Sequence, residues 1–473
     1  MKKLISMLLV LTMIGGVMVS CGNSEEKSGS DDQKSTAGAV TSSADQTEDK
    51  GEVNVYLHLT QLILGDEKQD ADGNTYRDES TAWLKFAAED FTKETGIKVN
   101  FVPFNDFNGE IKPLLQVGDK GIDLATNVVT LTREEKELYL APLLSVEEAK
   151  NIYDDKFVDA MSKNDAGDEI LMWQIAKSYS NGIAYNEDVI KAAGYDEIPD
   201  TLAEFTTMCE KIRDNGQVPI VLHRVENWPL STVSDFSDYI PGKYNAIADI
   251  LNSDDPFGDS TSLGQMIKIY TNFKANGFFE KNVYTDFGVA MDAVSQGKAG
   301  MMLFGSWLIP QLKSRVPEGT DPSIIKFDAA VDYGSGRHIT LTNEWDWGLN
   351  KQSPNKENAK KFLDYISKRA DVIAKTGFID ARTDVTPIVP ELYSMIDQKI
   401  ADGTVTPIYT TQKSDDYYKV EEILSDADLW ADYKYVGLLF DSYDTENPGW
   451  DNYKKEVKTQ NKYFLNSKKS LGY

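Results

Sequence analysis

Cysteine is almost absent: Cys21 and Cys209 are the two in 473 residues. Cys21 closes an N-terminal apolar run, so a body folded beyond it keeps Cys209 as a lone thiol, and no intramolecular disulfide braces its core. Histidine is as scarce. His58, His223 and His338 lie far apart, which excludes the usual zinc triplet, and no His-Glu-x-x-His, Gly-x-Ser-x-Gly or Walker loop occurs. Positive charge is short as well, with 49 Lys and Arg against 76 Asp and Glu and a net charge of -27. A phosphate backbone demands clustered Lys and Arg, so nucleic acid is not an expected partner. Beyond the first 20 residues no stretch is apolar for the ~20 positions a spanning helix needs. There is no internal repeat of the kind an adhesin would show.

What is present starts with "VMVSCGNSEEKSGS" (17–30), where an apolar run gives way to an acidic, serine-rich tract at Cys21. Lys2 and Lys3, the apolar stretch from Leu4 to about Val19 and the small Ser20 read as a signal peptide over 1–20. Small residues followed by Cys resemble the lipobox of bacterial lipoproteins, although Met18 stands where Leu is usual. That resemblance implies a lipidated Cys21 and an extracytoplasmic protein held to the cell membrane by the lipid alone. Residues 22–50, dominated by Ser, Asp, Glu, Lys, Thr and Gly, read as a disordered tether with a reach on the order of 30 Å.

From Val53 short β-type runs alternate with helical patterns. "EVNVYLHLT" (52–60), "IKVNFVPF" (97–104) and "IDLATNVV" (122–129) read as strands; "STAWLKFAAEDFTKETG" (80–96) reads as a helix capped by Ser80 or Thr81 and stopped by Gly96; 107–119 reads as helical. The rhythm implies an α/β lobe with a mainly parallel sheet, whose ligands lie beyond the carboxyl ends of strands. Thr60, Gln61, Thr126 and Asn127 fall near such ends, whereas Asp123 is as well placed to bond backbone.

Four stretches carry a family resemblance. "FTKETGIKVNFVPF" with "LLQVGDKGIDLATN", "SNGIAYNEDVIKAAGYDEIPDTLAEF" (180–205), "VSQGKAGMMLFGSW" (294–307) and "LNKQSPNKENAKKFLDYI" (349–366) resemble, in order, segments of the bacterial extracellular solute-binding proteins of the carbohydrate type, which serve ABC importers. Gly300 and Leu202 depart from the family's usual Ala and Trp. The resemblance implies a two-lobed α/β fold of the periplasmic-binding-protein kind, with a ligand cleft and chain crossings near 174–180, 308–315 and 380. Lobe one is then 51–175 plus 313–380, and lobe two 176–312 plus 381–473. It also implies a monomer that captures a sugar, expected to be an oligosaccharide, for the permease subunits of an importer, with no cofactor and no catalysis.

A sugar cleft needs flat aromatic surfaces for the C–H faces of the rings and polar side chains for the hydroxyls. Trp228 lies in the helix-breaking "RVENWPL" and Trp307 follows two small residues in "FGSWL", where the family carries a ligand-facing tryptophan; both are candidate platforms. In "TNEWDWGLN" (342–350), Trp345 and Trp347 share one side of a strand. Trp345 is the candidate platform, with Glu344 beside it, and Trp347 the candidate core residue. Tyr179 sits beside the first crossing. His223 and Arg224 follow the apolar "PIVL" run, and Arg382 in "DARTDV" stands where the family often has an arginine, its alternative being a hinge salt bridge. Trp83, Trp173, Trp430 and Trp450 read as packing.

Two rival readings are weaker. An exported glycosidase would need a marked carboxylate pair, and 76 acidic residues place such pairs everywhere by chance. In "DADGNTYRDE" (70–79) Asp70, Asp72 and Asn74 alternate as at the start of a calcium loop. Thr75 then occupies the glycine position and Thr81 the bidentate glutamate position, so an Asp-Gly turn is expected instead. A binding protein for a non-sugar solute remains the alternative within the same family.

Overall fold

The computed structural model describes residues 50–473 apart from 59–64, 70–74, 79–81, 226, 281–285 and 390–392, with backbone alone at 66–69, 75–78 and 432. The expected leader, Cys21, the expected tether up to residue 49, Thr60, Gln61 and the expected Asp-Gly turn therefore lie outside the described residues.

Strand β1 (Glu52–His58) alternates as its sequence requires, with Val53, Val55 and Leu57 wholly buried. A hairpin of β2 (Asp66–Gln69) and β3 (Thr75–Asp78) follows. The helix α1 (Trp83–Thr95) buries Leu84, Ala87, Ala88 and Phe91 on one stripe. It stops where Gly96 turns left-handed (φ 76°) and its N–H returns to the Thr92 carbonyl at 2.9 Å. Next come β4 (Lys98–Phe104), parallel to β1, and β5 (Leu124–Thr126), parallel to β1 on its other edge. The third strand is shorter than the expected 122–129, because Asn127 adopts φ 61° and a 3-10 turn takes over at Val128. The stretch 107–119 is a π turn (Phe107–Ile111) followed by one helical turn (Lys112–Gln116) rather than a single helix.

The twelve-residue β6 (Glu169–Ser180) is buried on both faces over most of its length. After Asn181 the chain enters a second sheet made of β7 (Gly182–Asn186), β8 (Val218–Ile220), β9 (Ala299–Phe304) and β10 (Ile325–Asp328), in the order β8-β9-β7-β10. It returns as β11 (His338–Asn350), pairs β6 again through β12 (Ile379–Asp380), and adds β13 (Thr406–Tyr409) alongside β11. The spine of the large sheet runs β12-β6-β11-β5-β1-β4. The return between the sheets lies at 329–337, later than the expected 308–315. Leu308–Ser314 is a helix, and β10 stays with the second sheet because it hydrogen-bonds β7 from Ile183–Asp328 to Asn186–Ile325. The large-sheet part of the chain thus resumes near 338, and the expected boundary at 313 is corrected accordingly.

Beyond β13 the chain is helical: α2 (Asp415–Asp426), α3 (Lys434–Ser442) and α4 (Asp451–Leu471). Their Ile423, Leu424, Tyr435, Leu439 and Phe464 join the core of the second sheet's helices, with Met208, Met266 and Phe273. Trp430 stacks on Tyr435 and Trp450 packs on Tyr453, while Trp173 donates to the Tyr153 hydroxyl at 2.7 Å within the large-sheet core. Cys209 is buried, and burial raises its thiol pKa, so it stays protonated and inert.

Gly182 sits where the chain changes sheets, and a Cβ there would come within 2.5 Å of the Phe327 ring and 2.6 Å of the Asp328 carbonyl. Gly182→Ala should destabilise by about 1–3 kcal/mol through overpacking. Urea midpoints of the two proteins check this, and equal midpoints would mean that the crossing is loosely packed.

Candidate functional site

Two strand ends of the second sheet build an aromatic wall. Past β8 the chain carries His223 and Trp228, past β9 it carries Trp307, and Phe287 opens the helix Phe287–Ser295. Trp228 lies 5.6 Å from Phe287 and 6.5 Å from Trp307, ring centre to ring centre, and Phe287 lies 6.2 Å from Trp307. These three rings are partly exposed, whereas Phe304 and His223 behind them are buried. Gly305 lets the Trp307 ring fold back, since a Cβ there would meet its Nε1 at 2.5 Å. Ser306 hangs the loop on β6, its N–H donating to the Tyr179 carbonyl at 2.7 Å while its hydroxyl accepts from the Tyr179 N–H at 3.2 Å.

The large sheet supplies the other strand ends. Thr126 is buried and its hydroxyl accepts the His58 N–H at 3.3 Å, so it serves the sheet. Asn127 is partly exposed, its left-handed backbone turning the chain out of β5. Asp123 accepts from the Asn54 N–H at 2.7 Å and the Ser353 hydroxyl at 2.5 Å, which is the backbone-bonding alternative.

Between these ends runs β11. Trp345 and Trp347 share one side, 5.9 Å apart, as the alternation requires. Both are packed into the large-sheet core, with Trp345 only 5% exposed against Phe378, so Trp345 is a core residue and not an open platform. Its φ of 57° is left-handed, a strained conformation for a bulky side chain and of the kind that gathers at functional segments. Glu344 and Asp346 occupy the opposite side and are partly exposed. Glu344 accepts the Ser178 hydroxyl at 2.6 Å, and burial, aided by the Asp346 charge, pushes its carboxyl up to about 7. Asp346 accepts the Val129 N–H at 3.0 Å and is raised by burial, with Lys136 acting against the rise. Burial brings Lys136 itself down to about 8, and it feels Asp346, Lys413 and Glu421. Asp235, in the short helix Ser231–Phe236 of the second sheet's side, is exposed and yet raised to about 6 by the protein around it. Lys413 acts against that rise.

Other expected contacts are committed elsewhere. The Tyr179 hydroxyl donates to Asp397 at 2.5 Å and its ring is buried against Tyr393. Arg382 is 5% exposed and is held by Asp384 (2.6 and 2.8 Å), Ser367 (2.9 Å) and Asp364 (3.2 Å), the salt-bridge alternative. Arg224 is buried on Asp441 and the Phe440 ring. Of the expected set, Trp228, Trp307, Asn127 and Glu344 keep accessible surface. Phe287, Asp235, Asp346 and Lys136 were not singled out, and Phe287 had a local cue in Asp286, which caps its helix by accepting the Val289 N–H at 2.9 Å. A polar depression of about 580 Å³ between the helix Ser262–Ala275, α3 and α4 contains none of the aromatic wall. Among the described residues no cluster of three or more His, Cys, Asp or Glu could hold a metal, and no helix is long and apolar enough to cross a membrane.

Comparison with known proteins fits this geometry. A family model described as bacterial extracellular solute-binding protein matches residues 74–372. A multiple sugar-binding protein of Streptococcus mutans is 29% identical over 198 residues, 40% of this chain. That match spans 45% of the relative, a little under half its length. Among solved structures, an ABC-transporter binding protein from Bifidobacterium animalis subsp. lactis in complex with mannobiose superposes with a TM-score of 0.71 at 19% identity, covering 89% of this chain and 95% of that one. A maltose-bound protein of T. maritima gives 0.61 at 16% identity, covering 88% and 100%. The fold is the two-lobed α/β fold of periplasmic binding proteins.

The cleft carboxyls give a test by pH. Glu344 is raised from its ordinary 4.5 to about 7 in the folded chain, so folding disfavours its ionisation. The stability tied to this group is whole below about pH 4.5 and is lost as pH rises through about 7. Glu344→Gln should remove that part of the decline, read as the difference in urea midpoint between about pH 5 and about pH 8. Parallel declines in both proteins would place the carboxylate in open solvent.

Proposed function

From the premise that this chain belongs to the bacterial extracellular solute-binding protein family, we propose that it is the sugar receptor of an ABC importer, anchored outside the cytoplasm through Cys21. The observation that carries the sugar reading is the aromatic wall: three partly exposed rings, Trp228, Phe287 and Trp307, with centres 5.6–6.5 Å apart. Such rings match the C–H faces of pyranoses, and the partly exposed Asn127, Glu344 and Asp346 supply acceptors and donors for hydroxyls. The similarity to sugar-binding relatives supports the same ligand class.

The protein acts by binding and release. Its ligand is an oligosaccharide, since rings and polar groups are spread over both sheets rather than gathered in one closed pocket. Closure of the two lobes over the ligand is a population shift favoured when the ligand touches both. The permease subunits are the receiving partner, and the protein works as a monomer. It performs no chemistry of its own: Glu344 and Asp346 sit two residues apart on one strand and are bonded to Ser178 and Val129, an arrangement suited to holding hydroxyls.

A thermal-shift panel of oligosaccharides tests the reading, because a ligand at 100 times its Kd stabilises the fold by ~2.7 kcal/mol. Trp228→Ala and Trp307→Ala should each weaken the best ligand about tenfold or more, since an aromatic contact is worth ~0.5–1.5 kcal/mol beyond its buried area. Both should cost less stability than the ~3–5 kcal/mol of truncating a core Trp such as Trp347. A panel without a shift would overturn the sugar reading, and normal binding by both variants would place the ligand away from the aromatic wall. For the anchor, Cys21→Ala should move the protein from the membrane fraction to the soluble one; detergent-dependent fractionation of that variant would exclude lipidation at Cys21.

A further inference from the structure

The Trp307 end of the aromatic wall is fastened by four polar atoms in a row. The Tyr179 N–H donates to the Ser306 hydroxyl at 3.2 Å, the Ser306 hydroxyl lies 2.7 Å from the Tyr393 hydroxyl, and the Tyr393 hydroxyl donates to the Gly377 carbonyl. A backbone N–H can only donate and a carbonyl can only accept. With the Tyr393 proton on Gly377, the Ser306 proton points to Tyr393, so the whole chain of bonds has one direction. Ser306 and Tyr393 are fully buried. Burial also raises the Tyr393 phenol above its ordinary 10, which keeps its proton in place.

Each member comes from a different segment. Tyr179 lies at the end of β6, where the chain first leaves the large sheet, Ser306 in the loop after β9, Gly377 in the turn before β12, and Tyr393 at the start of the helix Ser394–Ala401. The bonds close on Trp307 from two sides. Ser306 precedes it, and the Ser306 N–H donates to the Tyr179 carbonyl at 2.7 Å. Gly377 holds a left-handed φ of 82°, and a Cβ there would lie 2.7 Å from Pro310 and 3.5 Å from the Trp307 Cα, so its backbone is pressed against the turn that carries the indole. The Tyr179 side chain takes no part, since its hydroxyl goes to Asp397. Resting on the sugar-receptor reading above, we propose that Tyr393 is a positioning residue of the binding site: it touches no ligand, and its hydroxyl, acting through Ser306 and Gly377, fixes the angle at which the Trp307 ring meets the sugar. A platform held in place before the ligand arrives loses less freedom on binding, and so binds more tightly.

A double-mutant cycle tests this by calorimetric titration of the full-length protein in detergent, the probe being whichever of cellotriose, maltotriose and mannotriose wild type binds most tightly. Tyr393→Phe keeps the ring and removes the hydroxyl. It should weaken the probe about three- to tenfold and lower the urea midpoint, since it leaves Ser306 and Gly377 unpaired. In a Trp307→Ala background the same change should leave the affinity where Trp307→Ala alone sets it, because a residue that acts through Trp307 then has nothing to hold. Ser306→Ala, which breaks the bonds at the next member and serves if Tyr393→Phe does not fold, should give the same pattern. Tyr153→Phe removes another buried hydroxyl, the acceptor of the Trp173 N–H at 2.7 Å in the large-sheet core, and should lower the midpoint without weakening the probe. Wild-type affinity in folded Tyr393→Phe, an equal fold-loss with and without Trp307, or an equal loss in Tyr153→Phe would overturn the proposal while the sugar reading stood. A Trp307→Ala protein that binds as wild type does would place the ligand away from that ring and remove the proposal. Binding of none of the probes or of the wider panel by wild type would remove the sugar reading and the proposal with it.

Discussion

The antiparallel ladder between β6 and β11, from Thr340 opposite Ser180 to Gly348 opposite Met172, is the constraint on which the rest depends. Both strands leave the large sheet at the same end, so the chain passes to the second sheet at 180–182 and comes back at 329–337 within one hydrogen-bonded pair. Two parts of the candidate site hang from that pair. Ser306 holds the Trp307 loop to Tyr179 on β6, and Ser178 on β6 holds Glu344 on β11. The Trp307 loop and the Glu344 carboxyl are thus both tied to neighbouring residues of β6.

Desolvation shapes the chemistry of the cleft. Glu344 near 7, Asp235 near 6 and Lys136 near 8 are each shifted mainly by burial toward their neutral forms. Groups poised this way give and accept hydrogen bonds with uncharged partners such as hydroxyls. The aromatic wall adds area without charge. These rings and softened charges contrast with the exposed acidic surface of a protein of net charge -27, which favours solubility.

Much of the scaffold was legible in the chain because the signals were local. The alternation of β1, the apolar stripe of α1 and its Gly96 stop are short-range patterns, and they appear in the structure where they were read. Trp228 and Trp307 both interrupt apolar runs, and both rings keep accessible surface in the structure. The second crossing was misplaced because the register of β10 on β7 is a contact between residues more than a hundred positions apart, and nothing local in 308–328 announces it. The burial of Trp345 is beyond local reading for a related reason: alternation shows that it shares a side with Trp347, and only packing shows that both face the core.

The amino-acid sequence by itself determined the α/β class, the family and the choice of aromatic side chains at two strand ends, because composition and periodicity act within a few residues. Tertiary structure alone decided which candidates meet. It committed Tyr179 to Asp397, Arg382 to Asp384 and Asp364, and Arg224 to Asp441, partners 2 to 218 positions away. It also brought Phe287 beside Trp228 and set His223 behind them. Burial and charge depend on what the folded chain places within a few ångströms, and that neighbourhood is written in no single stretch of sequence.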